Sequence, residues 1–136
     1  MKAKSIFILF SVLFTLHSCI LLDIESEETL SLEEQTLTKD KWILNKVEHY
    51  APNGDLTITE QYNGESILEF YKDHTYKDLY KGDVMDQGKW SYDSNTKILK
   101  LKDQNMEVFK LDDTHLYFKH TEVNNAFEKI YYTRAR

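Results

Sequence analysis

The chain has 136 residues, and its 17 Lys and Arg stand against 23 Asp and Glu, which gives a formal charge of −6 at pH 7. This acidic balance argues against a nucleic-acid partner, because phosphate contacts need clustered Lys and Arg. The single cysteine, Cys19, excludes an intramolecular disulfide. The folded part must therefore gain its stability from a hydrophobic core, for which 7 Phe, 9 Tyr and 2 Trp provide large side chains.

The N-terminal residues have the layout of a secretory signal peptide. An uncharged apolar run from Ile6 to Leu16 follows two lysines and is shorter than the roughly 20 residues of a membrane-spanning helix. The sequence LHSC, which ends at Cys19, resembles the lipobox of bacterial lipoproteins. We therefore predict a signal peptide at 1–18 and a membrane anchor through acylated Cys19. An uncleaved signal anchor and a core helix of a soluble protein are the alternatives.

Both the lipidated and the uncleaved form place the domain outside the cytoplasm, because the basic N-terminus stays inside. We expect a lipid-anchored protein of the bacterial cell envelope, with the outer membrane favoured and the side that the domain faces left open. The acyl chains should hold the protein there, since an acidic domain is repelled by an anionic membrane surface.

Residues 19–40 are predicted to form an acidic tether. The segment has six acidic residues before its first basic residue and no aromatic residue, and charge repulsion favours an extended chain. Ser31 and Glu34 have the spacing of a capping box, which predicts a short helix from about Leu32 to Leu37. A spacer is favoured over a metal site, because flexible carboxylates cannot fix a coordination geometry.

From residue 41 onward, the pattern changes to short runs rich in β-branched and aromatic residues. Nine such runs follow one another about every 10 residues, and turn signals such as PNG, NG, DQN and DDT separate them. This spacing is typical of an antiparallel sandwich or an up-and-down barrel, and closure would remove the exposed strand edges. We predict an all-β fold, an antiparallel barrel of eight to nine short strands over residues 41–136.

Four segments of this region resemble the lipocalin-like domain of small bacterial lipoproteins. They are KWILNKVE at the start, LEFYKDHTY in the middle, GKWSYDSNTKILKL after it and VFKLDDTHLYFK near the end. In that family, W-x-L opens the first strand, F-x-x-D-G-T-Y makes a central hairpin and G-x-W introduces a later strand. Two positions depart from the pattern: no glycine stands two residues before Trp42, and His74 replaces the hairpin glycine. Histidine tolerates the positive φ of such a turn better than β-branched residues do.

The resemblance implies a barrel closed by Trp42 and Arg134. In the wider lipocalin superfamily, an arginine of the last strand lies across the indole of the first-strand tryptophan, which requires the last strand to pair beside the first. The alternative for Arg134 is a frayed basic tail. The resemblance also implies a small apolar or amphipathic ligand, and it implies no cofactor.

No pattern in the sequence indicates catalysis or a metal site. His115 and His120 are five residues apart, which places them on opposite faces of a strand, and no zinc-ligand spacing appears. The serines lack a nucleophile elbow, and Asp112 and Asp113 fall in a turn signal. We therefore expect no enzyme activity, no catalytic residue and no metal.

Alternation along the strands suggests which side chains line an interior. Tyr76, Asp78 and Tyr80 share one strand face, opposite Leu79. If the tyrosines point inward, Asp78 goes with them and needs a partner or a ligand. Alternatively, Leu79 points inward near a bulge and Asp78 faces water, and we favour this second arrangement. The candidate ligand-binding residues are Phe70, Tyr76, Asp78, Tyr80, Trp90 and Tyr92.

Two functions of different classes remain open. One is a barrel that admits a small apolar or amphipathic molecule, and the other is a filled barrel that binds another envelope protein through its outer surface. The family resemblance favours the first, and the small size of the domain favours the second. The interior volume distinguishes them, because a connected cavity near 300 Å³ or more supports ligand binding.

Overall fold

The structure is a computed structural model that describes residues 29–136. The predicted signal peptide at 1–18, the predicted lipidation site Cys19 and the first part of the predicted tether lie outside the described residues. No helix within the described part of the chain has the length and the apolar character needed to cross a membrane.

A short helix, α1 (Leu32–Thr38), confirms the helix predicted from the capping box. The backbone N–H of Glu34 donates to Ser31 Oγ at 3.2 Å, and the N–H of Ser31 donates to Glu34 Oε2 at 2.8 Å. These bonds satisfy donors at the helix start that have no partner within the helix. Leu37 is fully buried, and its carbonyl oxygen accepts a 3.0 Å hydrogen bond from the indole Nε1 of Trp42. The folded domain therefore begins before the first strand and includes part of the predicted tether.

Nine strands follow in the described residues, and short connections join them. Residues with positive φ, among them Gly54 (88°), Gly82 (89°) and Lys102 (55°), allow tight turns between neighbouring strands. The strands are β1 (Trp42–Tyr50), β2 (Leu56–Gln61), β3 (Ser66–Phe70), β4 (Thr75–Tyr80), β5 (Asp83–Asp93), β6 (Ile98–Leu101), β7 (Gln104–Leu111), β8 (His115–Thr121) and β9 (Phe127–Arg134).

The first and last strands pair and thereby close the sheet. The β1–β9 ladder runs from Trp42 opposite Arg134 to Tyr50 opposite Phe127. Strands β1 and β3 to β9 form a closed antiparallel barrel of eight strands, and β2 is an additional strand. β3 meets β1 only at Trp42 and Ile43, and β2 pairs with the later part of the same strand. The predicted all-β antiparallel barrel is confirmed.

Alternating side chains of the barrel strands fill its core. On β8, Leu116 and Phe118 are buried, whereas the residues between and beside them are only half-buried. This period of two is the geometry of a strand with one face toward the core. The buried set comprises Leu37, Trp42, Leu44, Val47, Leu68, Phe70, Tyr76, Trp90, Leu99, Met106, Val108, Leu116, Phe118 and Tyr132.

The turn between β3 and β4 carries the histidine that departs from the family pattern. His74 has a φ of 60°, in the left-handed region that this turn position requires. Its ring lies 4.9 Å from the ring of Trp90, and its Nε2 lies 3.2 Å from Glu34 Oε1. The turn is therefore attached both to the core and to α1.

Trp42 and Arg134 meet where β1 and β9 join. The guanidinium carbon of Arg134 lies 4.7 Å from the centre of the fully buried indole ring. The side chain of Arg134 is only 9% exposed, and its two terminal nitrogens donate 3.1 Å hydrogen bonds to Asp40 Oδ2 and to the carbonyl oxygen of Thr36. The arginine is thus held by α1 and by the segment before β1, and the alternative of a frayed basic tail does not apply to it.

The contact between Trp42 and Arg134 should be measurable as a coupling free energy. In a double-mutant cycle of Trp42→Phe and Arg134→Gln, we expect coupling of about 0.5–2 kcal/mol, because a guanidinium over a desolvated indole contributes in this range. Chemical denaturation of the full-length protein gives the four free energies of unfolding. The control Arg136→Gln changes an exposed residue and should alter stability by less than about 0.5 kcal/mol. Strict additivity, with Arg134→Gln itself silent, would contradict the closing role of the pair.

Candidate ligand-binding site: the interior cavity

A cavity of about 280 Å³ lies inside the barrel and is lined by strands β3 to β9. Its wall combines apolar side chains, which can contact the body of a small molecule, with polar groups that can fix its orientation. The apolar part comes from Leu68, Leu101, Met106, Phe118 and Ile130, the tyrosines are Tyr76 and Tyr132, and the other polar residues are Asp78, Asp86, Lys102, Asp103 and Gln104.

Two carboxylates face each other across neighbouring strands at this cavity. Asp78 on β4 stands directly opposite Asp86 on β5 in the strand register, and both line the cavity. Like charges at opposite positions of an antiparallel pair destabilise each other. The structure relieves this repulsion for only one of the two residues.

Asp86 is the carboxylate that has partners. The hydroxyl of Tyr76 donates to Asp86 Oδ2 at 2.6 Å, and Lys102 Nζ forms an ion pair with Asp86 Oδ1. The lysine first and the tyrosine second hold the pKa of Asp86 below its ordinary value. Asp86 therefore stays ionised at neutral pH.

Asp78 has no such partners. Within residues 29–136, no side chain or backbone group forms a hydrogen bond or ion pair with its carboxylate. Burial first and the negative charge of Asp86 second raise the pKa of Asp78 above its ordinary value. The cavity thus contains one acidic group that is satisfied and one that is not.

Lys102 reaches Asp86 across a glycine. A Cβ atom added to Gly88 would lie 2.7 Å from Lys102 Cγ and 2.9 Å from Lys102 Cε, closer than such atoms approach each other. The glycine therefore leaves room for the aliphatic part of the lysine side chain to cross β5. This crossing lets a lysine of the β6–β7 turn neutralise a carboxylate of β5.

Tyr132 brings a second polar group that has no partner. The residue is 7% exposed and lines the cavity from β9. Burial first and the charge of Asp78 second raise the pKa of the Tyr132 hydroxyl, so the group keeps its proton and can donate it in a hydrogen bond. Among the described residues, no acceptor lies within hydrogen-bond distance of this hydroxyl.

The structure brings two of the six candidate ligand-binding residues, Tyr76 and Asp78, to the cavity. Phe70 and Trp90 are instead buried in the core, where their rings meet edge to face at 5.3 Å. Tyr80 is 40% exposed, and its hydroxyl donates to Glu65 at 3.2 Å.

Tyr92, the sixth candidate, lines a separate surface depression with Glu33, Lys97 and Val108. This depression also contains residues of β7 and lies outside the cavity described above. We therefore do not place Tyr92 with Tyr76 and Asp78.

The favoured interpretation of Asp78, that Leu79 points inward in its place, is wrong: Asp78 lies on the cavity side with Tyr76 and is half-buried. A register shift does occur between Asp78 and Leu79, where Met85 is the extra residue on β5. The shift lies after Asp78, so the aspartate keeps the inward direction of Tyr76 and only the end of β4 is displaced. A bulge position cannot be read from alternation, because the extra residue is on the partner strand.

Sequence reasoning missed Asp86, Lys102 and Tyr132. Asp86 lies in β5, which begins at Asp83 and thus earlier than the segment GKWSYDSNTKILKL that the sequence singles out. The alternation that groups Tyr76 with Asp78, extended to β9, could have found Tyr132. Lys102 carries no such signal, because its side chain reaches the cavity from a turn.

None of the histidines in the described residues lines the cavity. His49 lies 3.0 Å from Glu128, His74 contacts Glu34, and His115 contacts Asp112. Within residues 29–136, no group of three or more His, Cys, Asp and Glu side chains is arranged to hold a metal ion.

Comparisons with protein-family models, with curated proteins and with solved structures each find no significant match to this chain.

Removing the charge of Asp78 should stabilise the protein at neutral pH. The pKa of Asp78 in the folded state is raised above 3.8, so Asp78 contributes to the stability of the fold below pH 3.8. This contribution is lost as the pH rises through the folded-state pKa. We expect Asp78→Asn to melt at a higher temperature than the wild type at pH 7 and at a similar temperature below about pH 3.8. Circular dichroism melts of the full-length protein across this pH range measure the difference.

The matched control is Asp86→Asn, which should change the melting temperature in the opposite direction. A lowered pKa contributes stability above the unfolded value, so Asp86→Asn should lower the melting temperature at pH 7. If Asp78→Asn and Asp86→Asn shift the melting temperature equally, the opposite pKa shifts of the two carboxylates are contradicted.

Proposed function

We propose that the protein is a membrane-anchored lipoprotein whose lipocalin-like barrel binds a small apolar or amphipathic ligand in the interior cavity. The observation that carries the proposal is the cavity of about 280 Å³ with five apolar side chains and two tyrosines in its wall. Its volume is close to the lower end of the roughly 300–1,000 Å³ that small-molecule sites occupy. The ligand is therefore small, of the size of one substituted ring or a short chain.

The proposed activity is binding without catalysis. The described residues that line the cavity include no histidine, serine or cysteine, which are common nucleophiles and proton carriers of hydrolytic sites. Its one lysine is engaged with Asp86, and its two tyrosines have raised pKa values. These groups suit recognition of a polar end of the ligand.

The proposed anchor is Cys19, which the LHSC sequence supports. Acylation there would place the barrel at a membrane surface of the bacterial cell envelope, with the outer membrane favoured. A ligand that partitions between lipid and water is consistent with that position, because an apolar cavity near the membrane can take up such a molecule directly.

The alternative is an interaction protein, and β2 is the observation that favours it. In the described chain β2 pairs only with β1, and Leu56 and Ile58 are 53% and 56% exposed. An open strand edge with apolar side chains can accept a strand from a partner protein. The occupancy of the cavity by small molecules decides between the two functions.

Filling the cavity should abolish ligand binding. We choose three probes with the same phenyl body: 2-phenylethanol, 2-phenylethylamine and 3-phenylpropanoate, whose ends are neutral, cationic and anionic. At least one should bind the full-length wild type in phosphatidylcholine nanodiscs with a Kd of about 1 mM or less. Leu101→Trp places an indole in the cavity and should weaken this binding at least about tenfold, as isothermal titration calorimetry measures.

The matched control is Leu32→Trp, the same change at a helix residue that is 75% exposed and is not part of the cavity wall. This variant should bind as the wild type does, and empty nanodiscs give the blank. If none of the three probes binds the wild type, or if Leu101→Trp binds as well as Leu32→Trp, the proposed binding function is refuted and the β2 edge becomes the favoured site.

Replacing Cys19 should release the protein from the membrane. Without the thiol no acyl chain can be attached, so Cys19→Ala cells should incorporate no radioactive palmitate into the protein, and the protein should leave the washed membrane fraction. The control Ser18→Ala keeps a small residue before the cysteine and should remain labelled. Equal labelling of Cys19→Ala and wild type would contradict lipidation, and an intact N-terminal methionine on the membrane-bound wild type would support the uncleaved anchor.

A further inference from the structure

We propose that the ligand of the cavity is a small amine with an apolar body, and that Asp78 is the counter-ion of its cationic group. This inference rests on the proposed binding function and names its ligand class. The decisive feature is an inward carboxylate, without a hydrogen-bond or ion-pair partner in the described residues, in a wall that also has five apolar side chains.

The contrast with Asp86 shows that the partners of Asp78 are absent for a structural reason. Asp86 takes up both the Tyr76 hydroxyl and the Lys102 ammonium group. Tyr76 has only one proton to donate, and the side chain of Lys102 is directed across Gly88 toward Asp86. The Tyr76 and Lys102 donors are therefore occupied by Asp86, and the Asp78 carboxylate can accept a donor that comes from outside the protein.

The charge balance of the cavity favours a cation over an anion. Among residues 29–136, three carboxylates (Asp78, Asp86 and Asp103) and one cationic side chain, Lys102, line the cavity. A negatively charged ligand would be repelled by the unpaired carboxylate, and the one lysine already has an anionic partner. A primary or secondary ammonium group would instead form a charge-assisted hydrogen bond with Asp78 in a site partly shielded from water.

A second, independent group points to a ligand that has both a polar and an apolar part. The hydroxyl of Tyr132, on a residue more than nine-tenths buried, also lacks a partner in the described residues and lies in the same cavity wall. The Tyr132 and Phe118 rings stack at 5.7 Å beside it, and Met106 continues the apolar wall. An aromatic or short aliphatic body would contact this surface while the ammonium group reaches Asp78.

The test compares the three phenyl probes on the full-length protein in phosphatidylcholine nanodiscs by calorimetry. We expect 2-phenylethylamine to bind the wild type at least about tenfold more tightly than 2-phenylethanol, and 3-phenylpropanoate to bind most weakly. In Asp78→Asn, the amine should lose this advantage, so that the Kd values of 2-phenylethylamine and 2-phenylethanol differ by less than about threefold. Measurable binding of 2-phenylethanol to the variant shows that its cavity still admits the phenyl body.

Asp113→Asn is the matched control, because it removes a carboxylate that is 80% exposed and outside the cavity wall. It should retain the amine preference. If Asp113→Asn loses the preference as Asp78→Asn does, the effect is one of overall charge, and the assignment to Asp78 is overturned.

A pH titration of the wild type tests, without a substitution, whether the charge of Asp78 produces the preference for the amine. The titratable groups that share the cavity wall with Asp78 are Asp86, Asp103, Tyr76, Tyr132 and Lys102. Both tyrosines have raised pKa values and keep their protons in the acidic range. The pKa of Asp86 is lowered while that of Asp78 is raised, so Asp78 takes up its proton before Asp86 does. The amine advantage should fall as the pH approaches 4 from above, and an advantage that is constant down to pH 4 would contradict the proposal.

The outcomes separate the two proposals. Equal binding of amine and alcohol to the wild type refutes the amine inference and leaves the binding function standing. Tighter binding of 3-phenylpropanoate than of the amine also refutes the amine inference, and Lys102 would then be the residue that binds the charged end of the ligand. Failure of all three probes refutes the binding function and with it the amine inference.

Discussion

The pairing of β1 with β9 is the constraint on which the rest of the structure depends, because joining the first and last strands encloses the apolar faces of all the barrel strands. Trp42 and Arg134 stand opposite each other at the beginning of this ladder and attach α1 to it through Leu37 and Thr36. The helix and the two closing residues occupy one end of the β1–β9 junction. On β9 the cavity residues precede Arg134, so the remaining interior space lies away from the closed end.

The interior that closure creates is not uniformly apolar. Asp78 and Asp86 are placed opposite each other by the β4–β5 register, and a single lysine can pair with only one of them at close range. Gly88 decides which one, because it is the point at which Lys102 can cross the strand. One carboxylate therefore belongs to the structure of the wall, and the other is available to a ligand. Burial of an unpaired charge is unfavourable, and this is the physical reason for expecting an external partner.

The proposed role follows from combining this site with the predicted anchor. Acylation at Cys19 would hold the barrel at a membrane surface, and a cavity of about 280 Å³ would restrict its contents to small molecules. An amine with an apolar body would match the apolar wall, the unpaired carboxylate and the acidic balance of the cavity. The exposed edge of β2 is a separate feature of the outer surface, and nothing in the cavity depends on it.

The secondary-structure elements could be predicted from local patterns in the sequence. The capping box predicted α1, the spacing of short β-rich runs predicted nine strands, and family resemblance identified Trp42 and Arg134 as residues that meet. These features depend on local propensity, on a period of two, or on a motif, and all three are visible in one chain. Alternation likewise identified Tyr76 and Asp78 as neighbours on one face.

Which of these residues form a site depends on how the closed barrel brings distant strands together. Phe70 and Trp90 share the inward alternation of Tyr76, but closure places them in the packed core rather than at the cavity. The extra residue on β5, the crossing of Lys102 over Gly88 and the approach of Tyr132 to Asp78 depend on strands that are distant in the chain. Contacts of this kind have no local signal, because they arise from the register and closure of the barrel and not from the residues adjacent to them in sequence.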